Sequence, residues 1–397
     1  MENMYITRKV IRKLPGTIMK TVPMPEPEII EGFGCRIQIG RVCRESGYDT
    51  VLILTDKRLC NLGYLKSVEK ALEAECIRYE VYDGIITEPR LEYIETGRAV
   101  AMEIGAKCII TIGGGSVMDT GKMVASGCRL KHLPADMLLQ KFLIVPEKSL
   151  PIIAVPSTAG TGAEVTVGAV ITQRNGGKFA SVIVGLDVHT VFLDSELTIK
   201  APWNITASCG IDALSHGLEG AVADVKSLPD DIEKSRKCVR LVLDNLPKLK
   251  EHPEDIAARG AMCLAANLGG NAINKQLAGY VHAFAHSIGA KYHIPHGKAI
   301  AMCLIPVLRS QMDASAGQLS ELAHFCGFDS VDALFNSLKS LIALCDLDLD
   351  GSIVAHEDFK ELSIAIAKDS VNYSAPMTFP RRQILSILSE ISELHTN

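Results

Sequence analysis

Near residue 198 the apolar residues change period, and a chain of 397 residues that does so is expected to fold as two domains of different class. Before that point they come in short apolar runs at 50–55, 108–112, 151–155 and 190–193, with a further strand-like segment at 77–82. Stretches with helical spacing, at 65–75 and 90–104, separate the first of these. Runs without polar alternation have no face to give to water, so they should pair as a largely parallel sheet covered on both faces by helices. After residue 198 the stretches 205–222, 230–246 and 255–271 keep helical spacing, and strand signals are few. The expected fold is an α/β N-terminal domain over residues 1–197 and an all-α C-terminal domain over residues 198–397.

Composition narrows the partners. A formal charge of -5 with no long basic run argues against nucleic acid. No stretch approaches the ~18 consecutive apolar residues of a membrane span, and the first residues lack the apolar core of a signal peptide. The twelve cysteines are scattered from Cys35 to Cys345 without a Cys-x-x-Cys pair, as expected of reduced thiols packed in a cytoplasmic protein.

Two loops carry the residue types that meet phosphate. Cys-Ile-Ile-Thr-Ile-Gly-Gly-Gly-Ser-Val-Met-Asp (108–119) runs from a strand through a glycine turn into a helix start. Glycine lets backbone approach a pyrophosphate, and a helix N-terminus offers unpaired N–H donors and a favourable dipole. Neither common nucleotide motif is present: Ser116 stands where a Walker loop needs its first glycine, and Met118 where the Rossmann fingerprint needs its third. A candidate ribose-binding acid, Asp56, lies upstream rather than downstream. A second small-residue loop, Pro-Ser-Thr-Ala-Gly-Thr-Gly-Ala-Glu-Val-Thr (156–166), follows a strand and suits the same chemistry.

The helical half holds a set of metal-ligating types. Asp212 and His216 are one helical turn apart, and His282, His286, His293 and His296 fall within fifteen residues. A carboxylate with imidazoles makes a hard-to-borderline site suited to iron(II), zinc or cobalt. Pro295 interrupts the helix and leaves His296 in a loop or at a new helix start. Spacing shows a histidine cluster without saying which members bind a metal.

Together these segments closely resemble the iron-containing (group III) alcohol dehydrogenases, which have a dehydroquinate-synthase-like fold. The resemblance rests on residues 54–57, 113–119, 156–166, 210–219 and 282–296, and reaches from about Pro27 to at least Pro306. It implies that Asp212, His216, His282 and His296 are the metal ligands, and that His286 lies beside the nicotinamide. It implies that Gly114, Gly115, Ser116 and Asp119 hold the pyrophosphate and its surroundings, with Thr158, Thr161 and Lys178 lining the rest of the cofactor site. An acid at Asp56 favours NAD over NADP, because a 2′-phosphate would meet its charge, although Lys57 beside it softens the preference. The resemblance implies Fe2+ as the metal, with Zn2+ as the alternative.

Three departures stand out. The family's prolines are missing from residues 185–190, Asn274-Lys275-Gln276 replaces the usual small residues before the ligand helix, and the first twenty or so residues extend beyond the usual start. The implied activity is hydride transfer between a small alcohol or aldehyde and the nicotinamide, with His286 relaying the proton. A glycerol-dehydrogenase-like zinc enzyme and a lyase of the dehydroquinate-synthase type are the alternatives on this architecture. The lyase would need more Lys and Arg near its pocket than Lys275 and Lys291 supply. The resemblance also implies a homodimer, formed through strands around residues 17–31.

Overall fold

The computed structural model describes residues 24–86, 88–223, 229–276, 278–347, 350–370, 373 and 375–394. The N-terminal extension and residues 17–23 of the expected dimer segment lie outside them. The described residues form two compact units, one of residues 24–158 with Gly162–Ala201, the other of residues 159–161 with everything from Pro202 onward.

The first unit is built on a six-stranded parallel sheet. Its strands are β1 (Glu28–Glu31), β2 (Thr50–Leu54), β3 (Arg78–Tyr82), β4 (Cys108–Gly113), β6 (Ile152–Pro156) and β9 (Val188–Leu193), ordered β1-β9-β6-β4-β2-β3. The central strands β2, β4 and β6 are buried along their whole length, which is why they read as unbroken apolar runs. On one face Val51, Ile53, Ile110 and Ile153 form a core with Ile39 of α1 (Ile39–Glu45) and with Val68 and Leu72 of α3 (Leu65–Ala74). The short helix α2 (Lys57–Asn61) lies between α1 and α3 in sequence. Residues of the opposite face, Leu54 and Thr111, meet α4 (Leu91–Ile104) and α5 (Gly115–Arg129). There the approach is close: a Cβ on Gly121 would stand 2.1 Å from the Thr111 methyl. No larger residue lets α5 lie on β4 in this way.

A second sheet of three strands has no counterpart in the pattern of apolar runs. It joins β5 (Phe142–Ile144), β7 (Gly168–Thr172) and β8 (Lys178–Val184), with β7 and β8 antiparallel. Its signal is the Asn175-Gly176-Gly177 turn, where Gly176 takes a φ of 82°. Flanking alternation is weak, because the β8 side chains are only partly buried. Lys122 on α5 pins this sheet: its buried ammonium donates to Asp119, to the Thr166 hydroxyl and to the Gly168 carbonyl, at 3.0, 3.0 and 2.6 Å. The short helix α6 (Glu196–Ile199) closes the unit.

The second unit is helical. Its centre is α7 (Trp203–Ala221), buried from Gly210 through Ala221 and packed against α8 (Pro229–Asn245), α10 (Ile256–Gln276) and α12 (His296–Ser310). A single turn, α9 (Lys248–Glu251), links α8 to α10. Helix α11 (Tyr280–Tyr292) lies beside α12, and α13 (Ala316–Phe325), α14 (Val331–Cys345), α15 (Phe359–Asp369) and α16 (Arg381–Ser392) complete the core. Among the described residues no helix is long and apolar enough to cross a membrane.

Candidate functional site

In the helical unit three helices deliver one polar cluster into an apolar core. Asp212, His216 and Glu219 stand at i, i+4 and i+7 on α7, so they share a face. His282 and His286 occupy successive turns of α11. That helix ends at His293, which adopts a left-handed φ of 55° while the Ile294 amide reaches back to the Gly289 carbonyl at 3.1 Å. His293 is thereby a turn residue rather than a further member of the cluster face. Pro295 then caps α12, and His296 is its first residue. A Cβ on Gly297 would fall 2.1 Å from the Ser208 hydroxyl and 2.5 Å from its carbonyl, so glycine is what lets this helix start lie on α7.

Three imidazoles converge on one carboxylate oxygen. Asp212 Oδ1 lies 3.7 Å from His216 Nε2, 3.6 Å from His282 Nε2 and 3.3 Å from His296 Nε2. The ligand atoms of Asp212, His282 and His296 lie within 4.8 Å of one another, the spacing of a metal site. His216 stacks on His282, its ring 4.7 Å away and nearly parallel. Asp212 Oδ1, His282 Nε2 and His216 Nδ1 are buried without a hydrogen-bond partner among the described residues. Each such group costs about 1–3 kcal/mol to bury unpaired, and a cation shared by Asp212 Oδ1 and His282 Nε2 would remove that penalty for those two. Burial opposes the charge on Asp212, but His216 and His296 outweigh it and hold the carboxyl well below its usual range. Burial lowers the His216 pKa to about 4.

Glu219 orders this cluster from behind. Its Oε1 accepts the Val281 amide at 2.7 Å, and its Oε2 meets His282 Nδ1 at 2.5 Å. A carboxylate can only accept, so His282 carries its proton on Nδ1 and turns Nε2 toward Asp212. Without a cation, burial works against charge on His282, but Glu219 and Asp212 overcome it and raise the pKa to about 10. A metal at Nε2 would therefore displace a proton from that nitrogen while Nδ1–H stays on Glu219. Glu219 is missing from the residues singled out in the sequence, although its i+7 position on the Asp212 face is a signal that could have found it.

His286 sits at the half-exposed edge of the cluster, its ring 5.4 Å from that of His296 and 5.7 Å from that of His282. Asp369 and Tyr373 approach its Nδ1. No local pattern marks these two, which lie more than eighty residues further along the chain.

In the α/β unit the two loops and Asp56 leave the carboxyl edge of the sheet, where open parallel sheets bind ligands. Gly113 and Pro156 end neighbouring strands in register, and the Ser157 amide donates to the Gly113 carbonyl at 2.9 Å. Gly114 precedes α5, Gly115 and Ser116 open it, and no side chain caps it. Thr158 faces that helix start, its hydroxyl 3.4 Å from where a Gly114 Cβ would stand. Asp56 caps α2, accepting the Leu59 amide at 3.0 Å. Both oxygens of Asp119 are engaged within the protein, one accepting from Lys122 and the other from the Val170 amide. Lys178 opens β8 and pairs with Glu88 at 2.8 Å on the surface. Thr161 belongs to the 159–161 stretch that clusters with the helical unit, where Gly160 lies against Cys209 of α7.

Solved oxidoreductases share this architecture. The sulfoacetaldehyde reductase from Bifidobacterium kashiwanohense in complex with NAD+ aligns with a TM-score of 0.86 at 26% identity, over 94% of this chain and 98% of that one. The profile of the iron-containing alcohol dehydrogenases matches residues 26–189, and the C-terminal profile of the Fe-containing alcohol dehydrogenase family matches residues 206–392. The chain belongs to the iron-containing alcohol dehydrogenase family. It is 32% identical to the sulfoacetaldehyde reductase of Bilophila wadsworthia, over 70% of this chain and 71% of the relative. It is 31% identical to the lactaldehyde reductase of Escherichia coli K12, over 72% and 74%. The protein is an oxidoreductase of the alcohol dehydrogenase and aldehyde reductase class.

Proposed function

We propose that this enzyme interconverts a small polar alcohol and its aldehyde with NAD, using one divalent metal, Fe2+ before Zn2+, held by Asp212, His216, His282 and His296. The observation that carries this is the convergence of three imidazole Nε2 atoms on the buried, unpartnered Asp212 Oδ1. The donor set of one carboxylate and three imidazoles suits a borderline cation. When bound, the ion supplies Lewis acidity at the alcohol oxygen and NAD takes up the hydride. Glu219 holds His282 in the tautomer that offers Nε2. His286 accepts the hydroxyl proton at Nε2 and passes it to solvent.

Residues 24–158 with 162–201 form the nucleotide-binding domain in this reading and the helical unit the metal-binding domain. Gly114, Gly115, Ser116 and Thr158 hold the pyrophosphate at the uncapped start of α5. Asp119 and Lys122 brace that helix, while Thr161 and Lys178 line the remainder of the cofactor site. The Asp56 carboxylate disfavours a 2′-phosphate, which supports NAD over NADP. Relatives named for lactaldehyde and sulfoacetaldehyde support a short substrate with a second polar group. The twelve free cysteines fit a cytoplasmic setting. The edge strand β1, with Ile29 and nearby Phe33 exposed, fits a homodimer.

Anaerobic purification with metal analysis tests the proposal, followed by comparison of NAD and NADP over graded short alcohols and aldehydes. His282→Ala should lose metal and turnover together. A His282→Ala enzyme with full metal content and full turnover would overturn the ligand assignment.

A further inference from the structure

Beyond the ligands, α11 carries one imidazole with partners of its own. His286 Nδ1 lies 3.1 Å from the Tyr373 hydroxyl and 3.3 Å from Asp369 Oδ2, and the Tyr373 hydroxyl donates to the same carboxylate oxygen at 3.2 Å. Asp369 is the last residue of α15, which packs against α11. Burial and the adjacent carboxylate push the Tyr373 pKa well above its usual value, so its hydroxyl stays protonated and acts as a donor. With that proton given to Asp369, the phenol oxygen can only accept from His286. Both partners of Nδ1 are therefore acceptors, and they select the tautomer with hydrogen on Nδ1 and a lone pair on Nε2.

We propose that Asp369 and Tyr373 are positioning residues that hold His286 in this tautomer and ring orientation, so that Nε2 is the nitrogen free to take the hydroxyl proton. The inference rests on the reading above that His286 serves the reaction. An imidazole without such partners would divide between its two tautomers and swing about its side-chain bonds. In one of those tautomers it would offer an N–H to a group that must lose a proton. The arrangement follows the logic by which a buried carboxylate orients a catalytic histidine. Here the carboxylate comes from a helix end, with a phenol as a second brace.

The test uses the zinc-loaded protein with 15N-labelled histidine, in which correlation spectra read the protonated nitrogen of each ring. A His286→Gln sample identifies the His286 signals. Wild type should show Nδ1–H at His286. Asp369→Ala should lose that pattern and lower kcat about ten- to a hundredfold, with metal content and the KM for alcohol within twofold of wild type. Asp369→Asn keeps an accepting oxygen and should restore both the pattern and most of the rate. Asp369 is partly exposed at a helix end, so these variants should fold; Asp369→Leu gives the same readout if alanine proves unstable. An Asp369→Ala enzyme with the wild-type tautomer and wild-type kcat would overturn the inference. A wild-type enzyme without turnover on any alcohol would overturn the functional reading instead, whatever the tautomer.

Discussion

Replacing Glu219 by glutamine isolates the contribution of the group behind the metal. The substitution keeps shape and an oxygen to accept the Val281 amide, but the second oxygen, 2.5 Å from His282 Nδ1, becomes an NH2 donor. That donor faces the nitrogen that must carry hydrogen if Nε2 is to bind a cation, so the ring flips its tautomer or loses the bond. A hydrogen bond to a charged group contributes about 1.5–3 kcal/mol. At about 1.4 kcal/mol per decade, Glu219→Gln should weaken metal binding by roughly 10- to 150-fold. Competition against a chelator of known affinity, read by metal analysis after dialysis, measures this directly. A melting curve of the metal-free variant supplies the control, and it should lie near that of metal-free wild type because the cap on α11 survives. Metal affinity within twofold of wild type, in a folded Glu219→Gln protein, would refute the orienting role of Glu219.

Three further outcomes follow from features elsewhere. Asp194 is fully buried and accepts the Arg36 guanidinium at 2.7 Å, so Asp194→Ala leaves a buried cation with the partly exposed Glu196 as its remaining carboxylate, beside the Tyr64 carbonyl and ring. It should lower unfolding free energy by about 3 kcal/mol in a denaturant titration, and a loss below about 1 kcal/mol would contradict the pairing. Gly297→Ala places a methyl 2.1 Å from the Ser208 hydroxyl and must displace the start of α12, so metal retention should fall about tenfold or more. Retention equal to wild type would mean the helix start tolerates the shift. Among the cysteines, burial pushes the thiols of Cys35, Cys43, Cys209, Cys238 and Cys345 up to about 12, and those of Cys128 and Cys326 to about 11, whereas Cys76 is exposed. A thiol reagent on the native protein should find one fast site, at Cys76. Fast labelling of a buried cysteine such as Cys43 or Cys238 in the native protein would contradict that burial.

What could be read ahead of the structure follows from where the information lies. The central strands announce themselves because both faces are buried, which leaves Val51 to Leu54 wholly apolar and Cys108 to Ile112 interrupted only by the buried Thr111. Asp212 and His216 are visible as a pair because one helical turn is a fixed spacing. Pro295 correctly marks the break before His296. The small sheet is hidden because its strands are short and half-wet, and strand β5 has only three residues. Asp119 and Lys122 bond each other, and their bonds to the start of β7 span some fifty residues and are set by tertiary packing, which no local pattern encodes. Asp369 and Tyr373 meet His286 across more than eighty residues, and no periodicity encodes such a meeting.

The order in which the ligand-bearing helices occur along the chain bears on how the protein is made. Synthesis runs from the N-terminus, and domains tend to fold as they emerge. Every described residue of the α/β unit up to Ala201 leaves the ribosome before Asp212 does. The cluster itself is split between α7 and the paired helices α11 and α12, so it cannot close until the chain has passed His296. In the proposed reading the metal site is therefore the last part of the chain's machinery to be completed, after all of the α/β unit has been made.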